Sequence, residues 1–239
     1  MVELNRNFKQ AINDLVWLLD RGYPKRPSIE LVGNRYMLGK NERQILLRGV
    51  FDRETCKIRR KKIVKSFDRI INAIIIDGLN VLISIHSYLL GKIVFKSLDG
   101  FVRDISGVYG NFTYEDRTKK AFDLLIGVLT SILKITEKQI AVYLFLDYRV
   151  SKIGDFAMYM RSVFSDLEIN GEVTVDRNCD YLVVEEAKRA GATNLVATSD
   201  TVIIDKVNWL IDIPYLAIVG LMKKDILDIK DISGLKSIG

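Results

Sequence analysis

Two stretches of this chain run from apolar residues straight into a carboxylate. "AIIID" (73–77) ends in Asp77, and "NLVATSD" (194–200) ends in Asp200. Asp147 and Asp176 also follow strand-like runs, and Asp180 comes one helical turn after Asp176, so both can face the same way. A single aspartate in this position often only caps the next helix. Several on one edge call for a different account, because clustered carboxylates repel unless a cation neutralises them. Hard oxygen donors suit Mg²⁺ or Mn²⁺ rather than zinc. Such an ion activates water and stabilises a phosphoryl transition state. That chemistry needs no histidine, and the chain has one, His86. A multi-histidine zinc site is excluded, and a Ser-His-Asp triad would have to use His86 itself. Since His86 lies within the apolar run "NVLISIHSYLL", a buried or interfacial role suits it better.

The elements that must position these carboxylates follow from periodicity. From about residue 70, strand-like runs alternate with helical ones: strands at 73–77, 93–96, 140–146, 172–175, 194–198 and 215–219, helices at 79–90, 117–134, 155–167, 178–190 and 201–210. Gly191 is placed to stop a helix. Alternation of this kind predicts an α/β fold with a mostly parallel central sheet flanked by helices. Ligands of such sheets gather beyond the carboxyl ends of the strands, where the aspartates fall.

The amino-terminal part reads differently. Residues 7–20 have helical apolar spacing, through Phe8, Ile12, Leu15, Val16, Leu18 and Leu19. Gly22, Pro24 and Pro27 break the pattern. The stretch 29–39 suggests an extended hairpin or loop, with Asn41 capping the next helix and a basic helix or linker running to Lys65. The expected organisation is a small, mostly helical basic module over 1–68 and an α/β domain over 69–239.

The net charge of +6 is uneven: residues 1–70 hold 17 Lys+Arg against 8 Asp+Glu, the remainder 19 against 22. "KIRRKKIVK" (57–65) is the densest run, and within it Arg59, Arg60, Lys61 and Lys62 are candidates to grip a polyanion backbone. Nucleic acid, RNA in particular, is the expected partner; a homo-oligomer or a ribonucleoprotein partner stays open. The bland alternative is a solvated helical face. Cys56 and Cys179 are too few for a disulfide framework and match no zinc spacing. No apolar run approaches the ~18 residues of a membrane span. With no signal-peptide core at the start, a cytoplasmic protein without membrane contact is expected.

Other phosphate-handling motifs fit less well. A haloacid-dehalogenase-type phosphatase wants an aspartate where Leu79 stands. The glycines of "GNRYMLGKN", Gly33 and Gly39, are one residue too far apart for a P-loop, and Asn41 replaces its Ser/Thr. No glycine-rich fingerprint opens a helix. Arg35 and Tyr36 suit an exposed loop pair better than a base-stacking platform.

On "IIIDGLN", "CDYLVVEEAKRAGATNLVATSD" and "VIIDKV", the body resembles a PIN-like nuclease domain, over about 170 residues. The amino-terminal leader "RGYPKRPSIELVGNRYMLGKNERQILLRGV" resembles that of an uncharacterised archaeal family built on such a body. The resemblance implies a metal-binding core of Asp77, Asp180 and Asp200, with Asp205 as a fourth acidic residue. Asn80 would order the first turn or touch substrate. Thr198 and Ser199 would orient Asp200 or contact phosphate, a simple capping role serving equally well. For the acidic residue of the intermediate helix, Asp99 comes first among Asp99, Asp104, Glu115 and Asp116. The implied activity is divalent-metal-dependent hydrolysis of phosphodiester bonds in RNA. The alternative is an inactive or weakly active domain that binds RNA or a ribonucleoprotein.

Overall fold

The computed structural model describes residues 4, 6–67, 71–105, 116–136, 140–189 and 193–235. The boundary drawn between 68 and 69, the helix stop at Gly191 and the candidate Glu115 lie outside the described residues, as does the side chain of Asp116. Four helices come first: α1 (Phe8–Leu19), α2 (Lys25–Arg35), α3 (Lys40–Gly49) and α4 (Arg53–Lys62). An α/β body follows. Strands β1 (Ala73–Asp77), β4 (Ala141–Asp147), β5 (Gly171–Asp176) and β6 (Asn194–Ala197) form a sheet in the order β5-β4-β1-β6. Every pairing in it is parallel, so all four carboxyl ends share one edge. A smaller sheet, β3-β2-β7, is made by β2 (Val94–Lys96), β3 (Val102–Asp104) and β7 (Leu227–Asp228).

Strand β1 shows why the apolar run was needed. It pairs on both sides, with Ile76 opposite Leu144 and Ala197. Ile74 and Ile76 enter one core, with Leu144 and the helices α5 (Gly78–Leu89) and α6 (Asp116–Thr136). Ile75 enters the other, with Phe145, Val196 and helices α8 (Cys179–Ala187) and α9 (Thr201–Lys206). A strand buried on both faces has no polar alternation. Helix α7 (Ile153–Asp166) covers the β5 side, where Phe164 meets Gly171.

The amino-terminal helices do not close their core alone. Phe8, Ile12 and Leu15 of α1 and Ile45 and Leu46 of α3 are buried together with Phe95 and Leu98 near β2 and with Ile229. Gly49 permits this approach, since a Cβ there would stand 2.3 Å from Ile229 Cδ1.

Two expected elements are corrected. The hairpin or loop expected at 29–39 is helix α2 as far as Arg35. Pro27 sits in its first turn, where no intrahelical N–H is required. Gly33 makes room for Arg43, whose guanidinium donates to Leu38 O (2.9 Å) and Asn34 Oδ1 (2.9 Å) and ties α3 to the end of α2. The strand expected at 215–219 is helical instead: a short turn over Ile213–Tyr215 runs into a π-helical stretch, Leu216–Leu221. Asp212 initiates it by accepting from Tyr215 N (2.9 Å). Beside β6, the pairing falls to Leu210 as an isolated parallel bridge to Val196, and α9 accordingly ends at Lys206 rather than 210. Among the described residues no helix is long and apolar enough to cross a membrane.

The strand-to-helix turn at the centre tolerates no side chain at Gly78, where a Cβ would lie 2.8 Å from the Phe145 carbonyl oxygen. Gly78→Ala is expected to destabilise the fold by about 1–3 kcal/mol, read as a lower urea midpoint with an unchanged slope.

Candidate active site

Asp77 ends β1 and is 4% exposed. Its carboxylate accepts from Thr198 Oγ1 at 2.7 Å and from Asn80 Nδ2 in the first turn of α5. Thr198 Oγ1 in turn accepts from the backbone N–H of Asp200 at 3.1 Å. One hydroxyl therefore joins the two aspartates whose strands are neighbours. Asp200 caps α9, taking Val202 N (2.7 Å) and Ile203 N (3.2 Å) on Oδ1. Asp180 stands in the first turn of α8. A cleft of about 510 Å³ opens between these elements, lined by Asp77, Asp147, Arg149, Cys179 and Asp180, with Leu79 and Val150 as its apolar wall.

The charges act on one another. Burial pushes Asp77 up to about 6, with Asp180 and Asp200 adding to the rise and the two donated hydrogen bonds opposing it. Asp180 is raised by burial first, then by Asp200 and Asp147. Asp147 goes the other way: hydrogen bonds from Arg149, whose Nε donates at 2.9 and 3.0 Å, hold it below the usual range. Asp176 accepts from Asn178 N at 2.7 Å and shapes the turn into α8. Burial lifts the Cys179 thiol to about 12, which keeps it from acting as a thiolate.

The structure thus joins the Asp77 carboxylate to Asn80 and Thr198, and through the Thr198 hydroxyl to the backbone N–H of Asp200, whose own carboxylate is engaged by α9; Asp180 and Asp200 act on Asp77 through their charge. An oxygen-only donor set under mutual repulsion fits Mg²⁺ or Mn²⁺ in kind. Among the described residues, however, no three His, Cys, Asp or Glu side chains are arranged to hold a metal ion. Asp77, Asp180 and Asp200 would have to close up around one.

The other expected ligands are corrected. Asp99 is fully buried and held by two arginines: Arg103 donates from Nη1 at 2.6 Å and Nη2 at 3.0 Å, and Arg59 from Nη1 at 3.0 Å. Asp205 accepts Arg59 Nε and Nη2, each at 2.7 Å. Both carboxylates serve ion pairs. The same contacts correct Arg59 as a phosphate grip, since its side chain is 6% exposed and packs over Phe51 at 4.5 Å. Lys62 donates to the carbonyl oxygens of Ile204 (2.8 Å) and Asp205 (3.2 Å), and Arg60 to that of Leu98. Lys61 is exposed. Ser199 points its backbone rather than its hydroxyl into the network, its carbonyl accepting from Arg103 Nε at 3.0 Å.

Arg103 escaped the sequence reading, as did Arg149 and Lys25. Arg103 links Asp99 to the chain between Thr198 and Asp200. Its signal was an adjacent pair of opposite charges, Arg103 and Asp104, directly after the apolar Phe101 and Val102. Lys25 stacks on the Phe51 ring at 3.6 Å, and burial, with Arg103 and Arg59 nearby, lowers it to about 7.

The comparisons with known proteins agree with this two-part layout without naming a chemistry. Residues 68–216 match the family described as "Domain of unknown function (DUF5616)", and residues 7–62 match "Protein of unknown function (DUF434)". The chain belongs to the DUF5616 family. It is 33% identical over 220 residues to the uncharacterized protein MJ0935 of Methanocaldococcus jannaschii, covering 91% of this chain and 100% of that protein. No solved structure matches.

Two outcomes test these electrostatics. An acid raised in the folded state binds protons more tightly there, so folding loses stability as pH rises from about 4 through about 6. In chelator, Asp77→Asn is expected to remove about 1–1.5 kcal/mol of that loss between pH 5 and pH 7, measured as urea midpoints at the two pH values. Asp212, also raised to about 6 by burial, keeps the remainder. Arg103→Met strips a buried partner from Asp99 and is expected to destabilise by about 3–5 kcal/mol, measured by the same titration at pH 7.

Proposed function

We propose that this protein is a divalent-metal-dependent nuclease of PIN-like type that hydrolyses phosphodiester bonds, with RNA as its substrate. The observation that carries the reading is the Thr198 hydroxyl, which joins Asp77 to Asp200 at the carboxyl edge of a parallel sheet, with Asp180 raising the charge density beside them. Ligands of such sheets collect at this edge. Asp77, Asp180 and Asp200 would hold Mg²⁺ or Mn²⁺, which supplies an activated water and neutralises charge developing on phosphorus. The chain's own residues position and exclude. Thr198 and Asn80 fix the Asp77 carboxylate and favour its charged form against burial. The N–H groups opening α9 fix Asp200. Arg149 sets a cation on the rim, where a phosphate would be drawn in. Leu79 and Val150 keep one wall dry. A cytoplasmic location goes with this reading, supported by two buried cysteines standing as free thiols.

A second reading, an RNA-binding domain without cleavage, is favoured by one observation: among the described residues no three ligand side chains already converge. An end-labelled RNA incubated with the full chain separates the two. Cleavage is expected with Mn²⁺, none in chelator, and a loss of about 100-fold or more in Asp200→Asn or Asp77→Asn, several kcal/mol of transition-state stabilisation. Binding without cleavage in the parent would establish the second reading. Equal cleavage by Asp200→Asn would remove the site.

A further inference from the structure

A second cleft, larger than the carboxylate site at about 730 Å³, lies between α4 and the body. Of the basic run 57–65, it takes Lys57, Arg60, Lys61 and Lys65 and leaves out Arg59 and Lys62, the two turned toward α9. Lys96 of β2 and Lys230 join them from the far side. Lys57, Lys61 and Lys65 make no ion pair among the described residues.

The cleft's two carboxylates offset only part of the charge of its six lysines and arginines. Asp228 is paired to Lys96 at 3.4 Å and also accepts from Lys230 N at 2.9 Å. Asp212 is buried with both oxygens engaged, by Tyr215 N at 2.9 Å and Val102 N at 2.7 Å. The wall between the cations is neither polar nor closed. Phe67 and Tyr215 are half-buried rings on it, beside Ile63, Val64 and Leu216. Lys96 lies over the Tyr215 ring at 5.2 Å.

Several cations lining one cleft beside part-exposed aromatic rings are the combination that holds a phosphate backbone and stacks bases. A duplex hides its base faces, and an acidic peptide has none. We propose that this cleft binds a single-stranded nucleic acid segment, its phosphates along Lys57, Lys61 and Lys65 and a base against Tyr215. The site stands apart from the carboxylate cleft and requires no cleavage.

The test is the binding of a labelled 12-nucleotide single-stranded RNA to the full chain in chelator, by anisotropy at several salt concentrations. Replacing Lys57, Lys61 and Lys65 together by Gln is expected to flatten the log–log salt slope by about two, at about 0.7 per phosphate contact. Replacing Lys120, Lys134 and Lys223, exposed lysines outside the cleft, removes the same charge and should leave the slope nearly unchanged. Tyr215→Leu should weaken binding about 5-fold or more with the slope intact. Thermal melts confirm that each variant is folded, and Tyr215→Phe, which keeps the ring, should restore binding if Tyr215→Leu acts through stacking. Equal flattening by the two lysine triples would overturn the proposal. So would unchanged binding in Tyr215→Leu, or equal affinity for a 12-residue poly-glutamate or an RNA duplex of the same length. The inference rests on the reading of RNA as substrate, but binding in chelator and cleavage with Mn²⁺ are separate measurements, so failure here and failure of the nuclease reading are told apart.

Discussion

Asp99 lies fully buried between two guanidinium groups. A charge in that position is stable only while its partners stay in place, and each partner belongs to a different part of the chain. Arg59 comes from the last amino-terminal helix, and its other face is clasped by Asp205 of α9. Arg103 comes from the small sheet and reaches on to the carbonyl of Ser199. Ser199 lies between the residue that binds Asp77 and the residue that caps α9. The ion-pair cluster therefore fixes both how α4 docks and where the sheet edge presents its carboxylates. Replacing such a cluster by apolar residues is often harmless elsewhere. Here its geometry would be lost along with its charge.

This dependence sorts the basic run by function. A helix turns about 100° per residue, so the five cations that α4 carries between Lys57 and Lys62 cannot all meet one partner. Arg59 and Lys62 face inward and hold the body; Lys57, Lys61 and Lys65 face the second cleft. Cys56 and Arg59 are the buried residues of α4, and their i, i+3 spacing marks the inward stripe. Counting charge could not reveal this division.

Strands β1, β4 and β6 of the central sheet were legible because they are short, largely buried apolar runs closing on carboxylates, and such burial leaves little else a run of this kind can do. The four helices preceding it were partly legible. Pro27 read as a breaker and 29–39 as a hairpin or loop, yet a proline costs nothing in a first turn and a glycine within a helix can seat another side chain, as Gly33 seats Arg43. The run 215–219 is rich in residues that favour strands, but Asp212 and Pro214 start a helix before it, and tertiary packing decided the matter. In the candidate site, Asp77, Asp180 and Asp200 stood out in the sequence for their places at element ends, while Asn80 and Thr198 entered with the resemblance. Asp99 and Asp205 were not: a lone carboxylate in sequence does not disclose which arginine will claim it.

The shared core of the first and last helical segments bears on how the chain is made. Asn13 hydrogen-bonds the carbonyl of Ser233 across 220 residues, and Ile229 fills a place among Phe8, Leu15 and Ile45. At about 5–20 residues per second, a ribosome needs roughly 10–40 s between emitting the two ends of that contact. For that interval the apolar faces of α1 and α3 lack the residue that completes them. Helices α1 and α3 are thus synthesised long before the residues that seal them, and the nascent chain carries an open hydrophobic surface through that interval.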